Sequence, residues 1–133
     1  MGDYTIKNLK EDVEDVAVGF GLSPNLEARF ARKPLGCEQG AVGYEKLAPN
    51  FRVPFGHTHA NQEEVYVVVS GGGRLKLEDE IVDVRRWDAI RVAPGTTRNF
   101  EAGPDGAEII AFGAPASADI PNDAEMIPGW WAD

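Results

Sequence analysis

The chain has 133 residues, of which 43% are hydrophobic and 26% are charged. This length and composition are those of one globular domain with a single core, and they exclude a collagenous or disordered chain. The formal net charge of -9 excludes nucleic acid as a partner and disfavours an anionic membrane surface, because both bind proteins through basic faces.

Within residues 26–31, Leu26, Ala28 and Phe30 alternate with more polar residues, which is the period of a strand with one buried face. A second extended run covers residues 38–47. Further short strands are predicted at regular intervals over residues 52–57, 64–70, 74–78, 81–85, 89–92, 97–100 and 108–112.

Turn-forming residues separate these strands. Pro49 and Asn50 predict a turn, since asparagine tolerates a left-handed backbone. Gly71-Gly72-Gly73 predicts a hairpin turn, because it lacks the lysine and the helix that a phosphate-binding loop requires. Gly103-Pro104-Asp105-Gly106 predicts another turn. Many short strands without a strong helix between them predict an all-β fold, an antiparallel sandwich or barrel.

Both histidines of the chain lie in the segment His57-Thr58-His59. On a strand, residues i and i+2 point to the same face, and imidazole is the commonest metal ligand near neutral pH. Glu64 follows after a short polar crossing and opens an apolar strand. The predicted metal ligands are therefore His57, His59 and Glu64, a donor set that suits iron, manganese, nickel or zinc. Tyr66 lies on the same face as Glu64 and is a candidate ligand-binding residue, or simply part of the core.

Cys37 is the only cysteine, so the chain can form neither an intramolecular disulfide nor a cysteine-based metal cluster. A single thiol is typical of a reducing compartment. The first 22 residues contain no apolar run long enough for a signal peptide or a membrane span. The sequence predicts a cytoplasmic protein with no membrane association.

The spacing His57-x-His59-x4-Glu64-x6-Gly71 resembles the first motif of the cupin superfamily. Trp87-Asp88, followed by Ala93-Pro94-Gly95-Thr96-Thr97-Arg98, resembles the second motif in part. The resemblance implies a jelly-roll β-barrel, a small-molecule ligand, no organic cofactor and a homodimer that pairs through edge strands. It divides the chain into an N-terminal arm (1–25), a cupin barrel (26–114) and a C-terminal tail (115–133) that packs on the barrel.

Arg98 is the most important departure from the cupin pattern, because it stands where the superfamily has a third histidine ligand. Trp87 and Ala93 also replace a glycine and a proline of the second motif, and Asn50 takes the turn that a glycine usually opens. Arginine has only donors and cannot bind a metal. A guanidinium about 4 Å from a divalent ion is repelled by roughly 8 kcal/mol at an effective dielectric near 20. Arg98 therefore either points away from a three-ligand metal or pairs with Glu64 in a metal-free pocket.

Three functions remain open. The first is a small-molecule-binding cupin with a divalent metal in an incomplete His57, His59 and Glu64 site. The second is a metal-dependent dioxygenase or isomerase that acts on a small organic acid. The third is a metal-free ligand-binding or sensor module in which Arg98 clamps an anion. The alternatives without such a role are a metal-free polar cluster and an arginine packed on the barrel rim. No catalytic residue is identified.

Overall fold

The computed structural model of the chain describes residues 2–116 and 123–133. Nearly all of its regular structure is strand, and the elements of these two ranges are β1 (Leu26–Phe30), α1 (Arg32–Leu35), β2 (Ala41–Leu47), β3 (Phe55–His59), β4 (Glu63–Leu77), β5 (Glu80–Arg85), β6 (Ala89–Val92), β7 (Arg98–Ala114) and β8 (Ala124–Pro128).

The two longest strands, β4 with 15 residues and β7 with 17, form the centre of the sheet. They pair with each other. On its other edge, each of the two strands pairs with one further strand along its first half and with another along its second half. In β7 the first half meets β3 and the second half meets β2, while β4 meets β6 and then β5. All these pairs are antiparallel. The sheet therefore curls on itself, and the predicted all-β antiparallel barrel is confirmed.

The inward face of the curled sheet carries the hydrophobic core. Tyr66 and Val68 of β4 are buried, whereas the residues that alternate with them are partly exposed. Ala17, from the predicted N-terminal arm, is 1% exposed and belongs to the same core cluster. Part of the arm thus packs inside the fold. The division into 1–25, 26–114 and 115–133 stays a prediction, and residues 117–122 of its tail lie outside the described residues.

The predicted hairpin turn at Gly71-Gly72-Gly73 is wrong, because β4 runs through all three glycines. Here the strand crosses very close to its neighbours and shifts its register against β7. A Cβ atom on Gly71 would lie 2.0 Å from the carbonyl oxygen of Gly106, and one on Gly73 would lie 2.0 Å from that of Glu101. The glycines are therefore needed for close backbone approach within a strand rather than for a turn.

Two smaller differences and one confirmation concern the predicted turns and faces. The turn predicted over residues 103–106 is an irregular part of β7, at the same register shift. Phe30 continues the inward face of β1 but is 53% exposed, because it lies at the end of the strand. The turn at Asn50 is confirmed by its left-handed φ of 62°.

We expect Gly73→Ala to destabilise the fold by about 2 kcal/mol or more, because backbone must move to admit the methyl group. Urea denaturation measures the change. Gly103→Ala is the matched control, since the nearest heavy atom would be 3.5 Å from its Cβ. Its effect should stay within about 0.5 kcal/mol. Equal stability of the two variants would contradict the strand-crossing explanation.

Candidate metal centre

Three strands bring the candidate site residues together. His57 and His59 lie on β3, Glu64 and Tyr66 on β4, and Arg98 at the start of β7. The period of two places each pair on one face of its strand. The register sets His57 directly opposite Arg98. Residues that are up to 41 positions apart in sequence (His57 to Arg98) thus face one point of the barrel interior.

Oε1 of Glu64 is that point. The Nε2 atoms of His57 and His59 lie 3.5 Å and 3.6 Å from it. The hydroxyl of Tyr66 donates a hydrogen bond to it at 2.6 Å, and Nη2 of Arg98 donates another. Among the described residues, the second oxygen, Oε2, has no hydrogen-bond partner. One carboxylate oxygen therefore accepts hydrogen bonds from a phenol and a guanidinium and has two imidazoles close beside it.

The three predicted ligands fit a transition metal in chemistry and in spacing. One ligand atom from each of His57, His59 and Glu64 lies within 4.8 Å of the others. A metal with bonds of about 2.1 Å separates neighbouring ligand atoms by about 3.0 to 3.4 Å. The imidazole-to-carboxylate distances of 3.5 Å and 3.6 Å are close to this range. His57, His59 and Glu64 could therefore hold a metal ion after small side-chain adjustments.

Arg98 points into the barrel, where it is 1% exposed, so the alternative of a surface arginine is wrong. Its Nε donates to the hydroxyl of Tyr66 at 3.0 Å, and its Nη1 donates to the carbonyl oxygen of Thr96 at 2.9 Å. With Nη2 on Glu64, every nitrogen of the guanidinium has a partner. Arg98 thus neutralises the buried charge of Glu64. The ligand-binding roles of Arg98 and Tyr66 stay predictions.

The pKa values of the site follow from burial and from these contacts. Burial alone would raise the pKa of Glu64, but the contacts from His57 and Tyr66 and the charge of Arg98 hold it at about 2. Burial and the charge of Glu64 raise the pKa of Tyr66, so its hydroxyl keeps the proton that it donates. Burial lowers the pKa of His57. An ionised carboxylate and a neutral imidazole are the protonation states that a metal requires.

Asp123 is a functional candidate that the sequence analysis missed. Its Oδ2 lies 2.9 Å from Nδ1 of His59, and its Oδ1 accepts the backbone N–H of Asn61 at 2.8 Å. A carboxylate on Nδ1 fixes the tautomer that leaves Nε2 free to face Glu64. The sequence gives no specific signal for Asp123, because it is one of several acidic residues in the C-terminal tail.

The C-terminal tail holds Asp123 in place by pairing with the histidine strand. β8 runs antiparallel to β3 over its whole length, from Phe55 to His59. The ring of Trp130 covers Gly56, where a Cβ atom would lie 2.7 Å from it. The guanidinium of Arg52 lies over the ring of Trp131, with its Cζ atom 4.2 Å from the centre of that ring. The histidines are therefore supported from the side opposite β7.

We expect Asp123→Ala to weaken zinc binding about 10- to 100-fold, which is typical for the loss of a carboxylate behind a histidine ligand. Competition with a zinc chelator measures the affinity. Nitrogen-15 NMR of the metal-free protein should also show a mixture of His59 tautomers. Glu125→Ala, at an exposed position of β8, is the matched control and should change neither. An unaltered tautomer in the Asp123 variant would contradict the orienting role.

Comparisons with known proteins bear on the fold. No protein-family model matches the chain. An uncharacterised protein of Methanocaldococcus jannaschii is 29% identical over 85 residues, which are 52% of this chain and 68% of that protein. The crystal structure of a cupin protein from Bacteroides fragilis is similar with a TM-score of 0.70 and 22% identity, over 89% of each chain. KdgF from Halomonas sp. has a TM-score of 0.67 and 19% identity, over 90% of this chain and 99% of its own.

These structural similarities confirm, at the level of the fold, the resemblance to the cupin superfamily. In this chain the fold brings His57, His59 and Glu64 together inside the barrel. Among the described residues, no helix is long and apolar enough to cross a membrane.

Proposed function

We propose that this chain is a small-molecule-binding cupin that holds one divalent transition metal between His57, His59 and Glu64. The observation that supports it is the convergence of two imidazole nitrogens on one carboxylate oxygen, at 3.5 Å and 3.6 Å. Iron, manganese, nickel and zinc all suit two nitrogens and one oxygen. Asp123 supports the proposal further, because its position behind His59 is the usual place of a carboxylate in a histidine metal site.

A bound divalent metal would supply Lewis-acid polarisation of a ligand oxygen. Turnover at such a centre would make the protein a metal-dependent dioxygenase or isomerase of a small organic acid, which is the enzymatic form of the same proposal. The chain's own residues bind and orient in either form. Nε2 of His57 and Nε2 of His59 face Glu64 in the interior, and Tyr66 together with Arg98 keeps Glu64 ionised and fixed.

The contact between Arg98 and Glu64 favours a second candidate, a metal-free ligand-binding or sensor module. The guanidinium takes the same oxygen that the two imidazoles approach, so it competes with a metal for Oε1. The first candidate is compatible with this contact, because a carboxylate can bind two cations through its two oxygens. Oε2 of Glu64 would then bind the metal while Oε1 stays paired with Arg98. The two candidates differ in metal content.

The predicted homodimer and cytoplasmic location are part of the proposal. An apolar row on the outer face of the sheet, in which β2, β7 and β4 bring Val42, Phe112 and Val65 side by side, supports self-association. Phe112 is 52% exposed there. Light scattering on the purified protein decides the oligomeric state, and a monomer at micromolar concentration would contradict this part.

We expect the protein purified from metal-supplemented medium to contain close to one equivalent of a transition metal, measured by elemental analysis. His57→Gln should lose most of it, because it removes one of three ligands. Glu63→Gln, next to Glu64 but exposed and paired with Arg91, is the matched control and should keep it. Less than about a tenth of an equivalent in the unaltered protein would reject the metal proposal and leave the metal-free module.

We expect Arg98→His to raise metal affinity, because it removes a repelling cation and adds a fourth ligand opposite His57. Chelator competition should show a gain of at least about tenfold. Arg98→Met is the control, since it removes the charge without adding a ligand and should gain less. Equal affinity of Arg98→His and Arg98→Met would mean that position 98 does not reach the metal.

A further inference from the structure

Glu45 is an acidic residue on the inward face of the barrel that the metal proposal does not use. The register sets it between Ala28 on β1 and Ile109 on β7, and both are buried. Leu47, two residues further along β2, is 1% exposed and belongs to the core. Because residues i and i+2 share a face, Glu45 faces the barrel interior, as Leu47 does.

No partner compensates this carboxyl within the part of the chain that the structure describes. It takes part in none of the hydrogen bonds or ion pairs there. Its oxygens are also not among the fully buried side-chain atoms that lack a hydrogen-bond partner. Its oxygens therefore still open onto accessible space. A carboxyl in apolar surroundings without a partner is held in its neutral form.

The charged groups around Glu45 act in the same direction. The inward residues of β1 and those of β7 beside it are apolar, and Glu64 of β4 is the charged group that acts on the pKa of Glu45. Burial, and then the charge of Glu64, raises the pKa of Glu45 to about 7. Glu64, with Arg98 as its partner, has a pKa of about 2. One barrel interior thus holds one carboxyl that is ionised at neutral pH and another that is about half protonated there.

The register relates these two carboxyls across the inner face of the sheet. Across the register, the diagonal from Glu45 on β2 to Glu64 on β4 passes over Ala111 of β7. Tyr66 is the neighbour of Ala111 on β4, and Gly43 is its neighbour on β2. Ala111 contributes only a methyl group beneath that line. A small molecule bound beside Glu64 would extend toward Glu45.

We propose that Glu45 contacts the ligand, and that its protonated carboxyl donates a hydrogen bond to an ionised oxygen of a small carboxylic acid bound at the metal centre. This inference rests on the proposed metal function. A divalent ion together with Arg98 outweighs the single charge of Glu64, so the loaded interior is net positive and takes an anion. A neutral carboxyl can donate to that anion, whereas a second carboxylate would repel it.

The test measures binding of malonate to the zinc-loaded full chain by calorimetry. A zinc ion lowers the pKa of Glu45 below its metal-free value of about 7, so affinity should fall at least about tenfold between about pH 6 and about pH 8, as Glu45 loses its proton. Glu45→Gln keeps a neutral donor, so its affinity should be near that of the unaltered protein at low pH and should not change with pH. Glu45→Ala should lose about tenfold or more at pH 6.

Glu27→Gln is the matched control, because Glu27 points to the other face of the sheet and pairs with Arg29. It should keep the affinity and the pH profile of the unaltered protein. An unaltered affinity and profile in Glu45→Ala would overturn the inference. So would the failure of malonate, oxalate and succinate all to bind the zinc-loaded protein.

A second measurement separates this inference from the metal proposal. Carbon-13 NMR follows the Glu45 carboxyl in the metal-free protein, with Glu45→Gln identifying its signal. A titration midpoint near 7 supports Glu45 as a neutral donor whatever the metal content, so a chain without metal would reject the metal centre as the ligand's anchor and leave the protonation of Glu45 established. A midpoint near the ordinary 4.5 overturns the inference whatever the metal content.

Discussion

The buried ion pair between Arg98 and Glu64 is the interaction on which the rest of the site depends. A guanidinium that is 1% exposed must have a charge partner, because desolvating a lone cation costs several kcal/mol. Glu64 is that partner, and it stays ionised for the same reason. Tyr66 is then fixed as a donor to Glu64 and an acceptor from Arg98. The positions of β4 and β7 relative to each other thus determine the chemistry at the barrel centre.

Much of the fold was predictable from periodicity, because strands with one buried face alternate in hydrophobicity. The failures occur where glycine has two possible roles. Gly71 and Gly73 have the composition of a turn, yet they admit a neighbouring backbone at a distance that no side chain would allow. A single sequence does not show which strand passes beside a glycine, so the sequence predicts two strands where the structure has the single strand β4.

The candidate site was predictable where its residues are close in sequence and not where they are distant. His57, His59 and Glu64 lie within eight positions, and their residue types alone indicate a metal-binding set. The orientation of Arg98 depends on the pairing of β3 with β7, and the roles of Asp123 and Glu45 depend on β8 and β2. A lone acidic residue has no local pattern, because what distinguishes it is the side chain that the fold places beside it.

The pairing of β8 with β3 has a consequence for the order in which the protein is made. His59 and Asp123 are 64 positions apart, so Asp123 is synthesised well after both histidines. A nascent chain that already contains both histidines and Arg98 still lacks the carboxylate that orients His59. The oriented geometry of His59 therefore forms only after Asp123 has been synthesised, and ions met before then encounter a looser set of ligands.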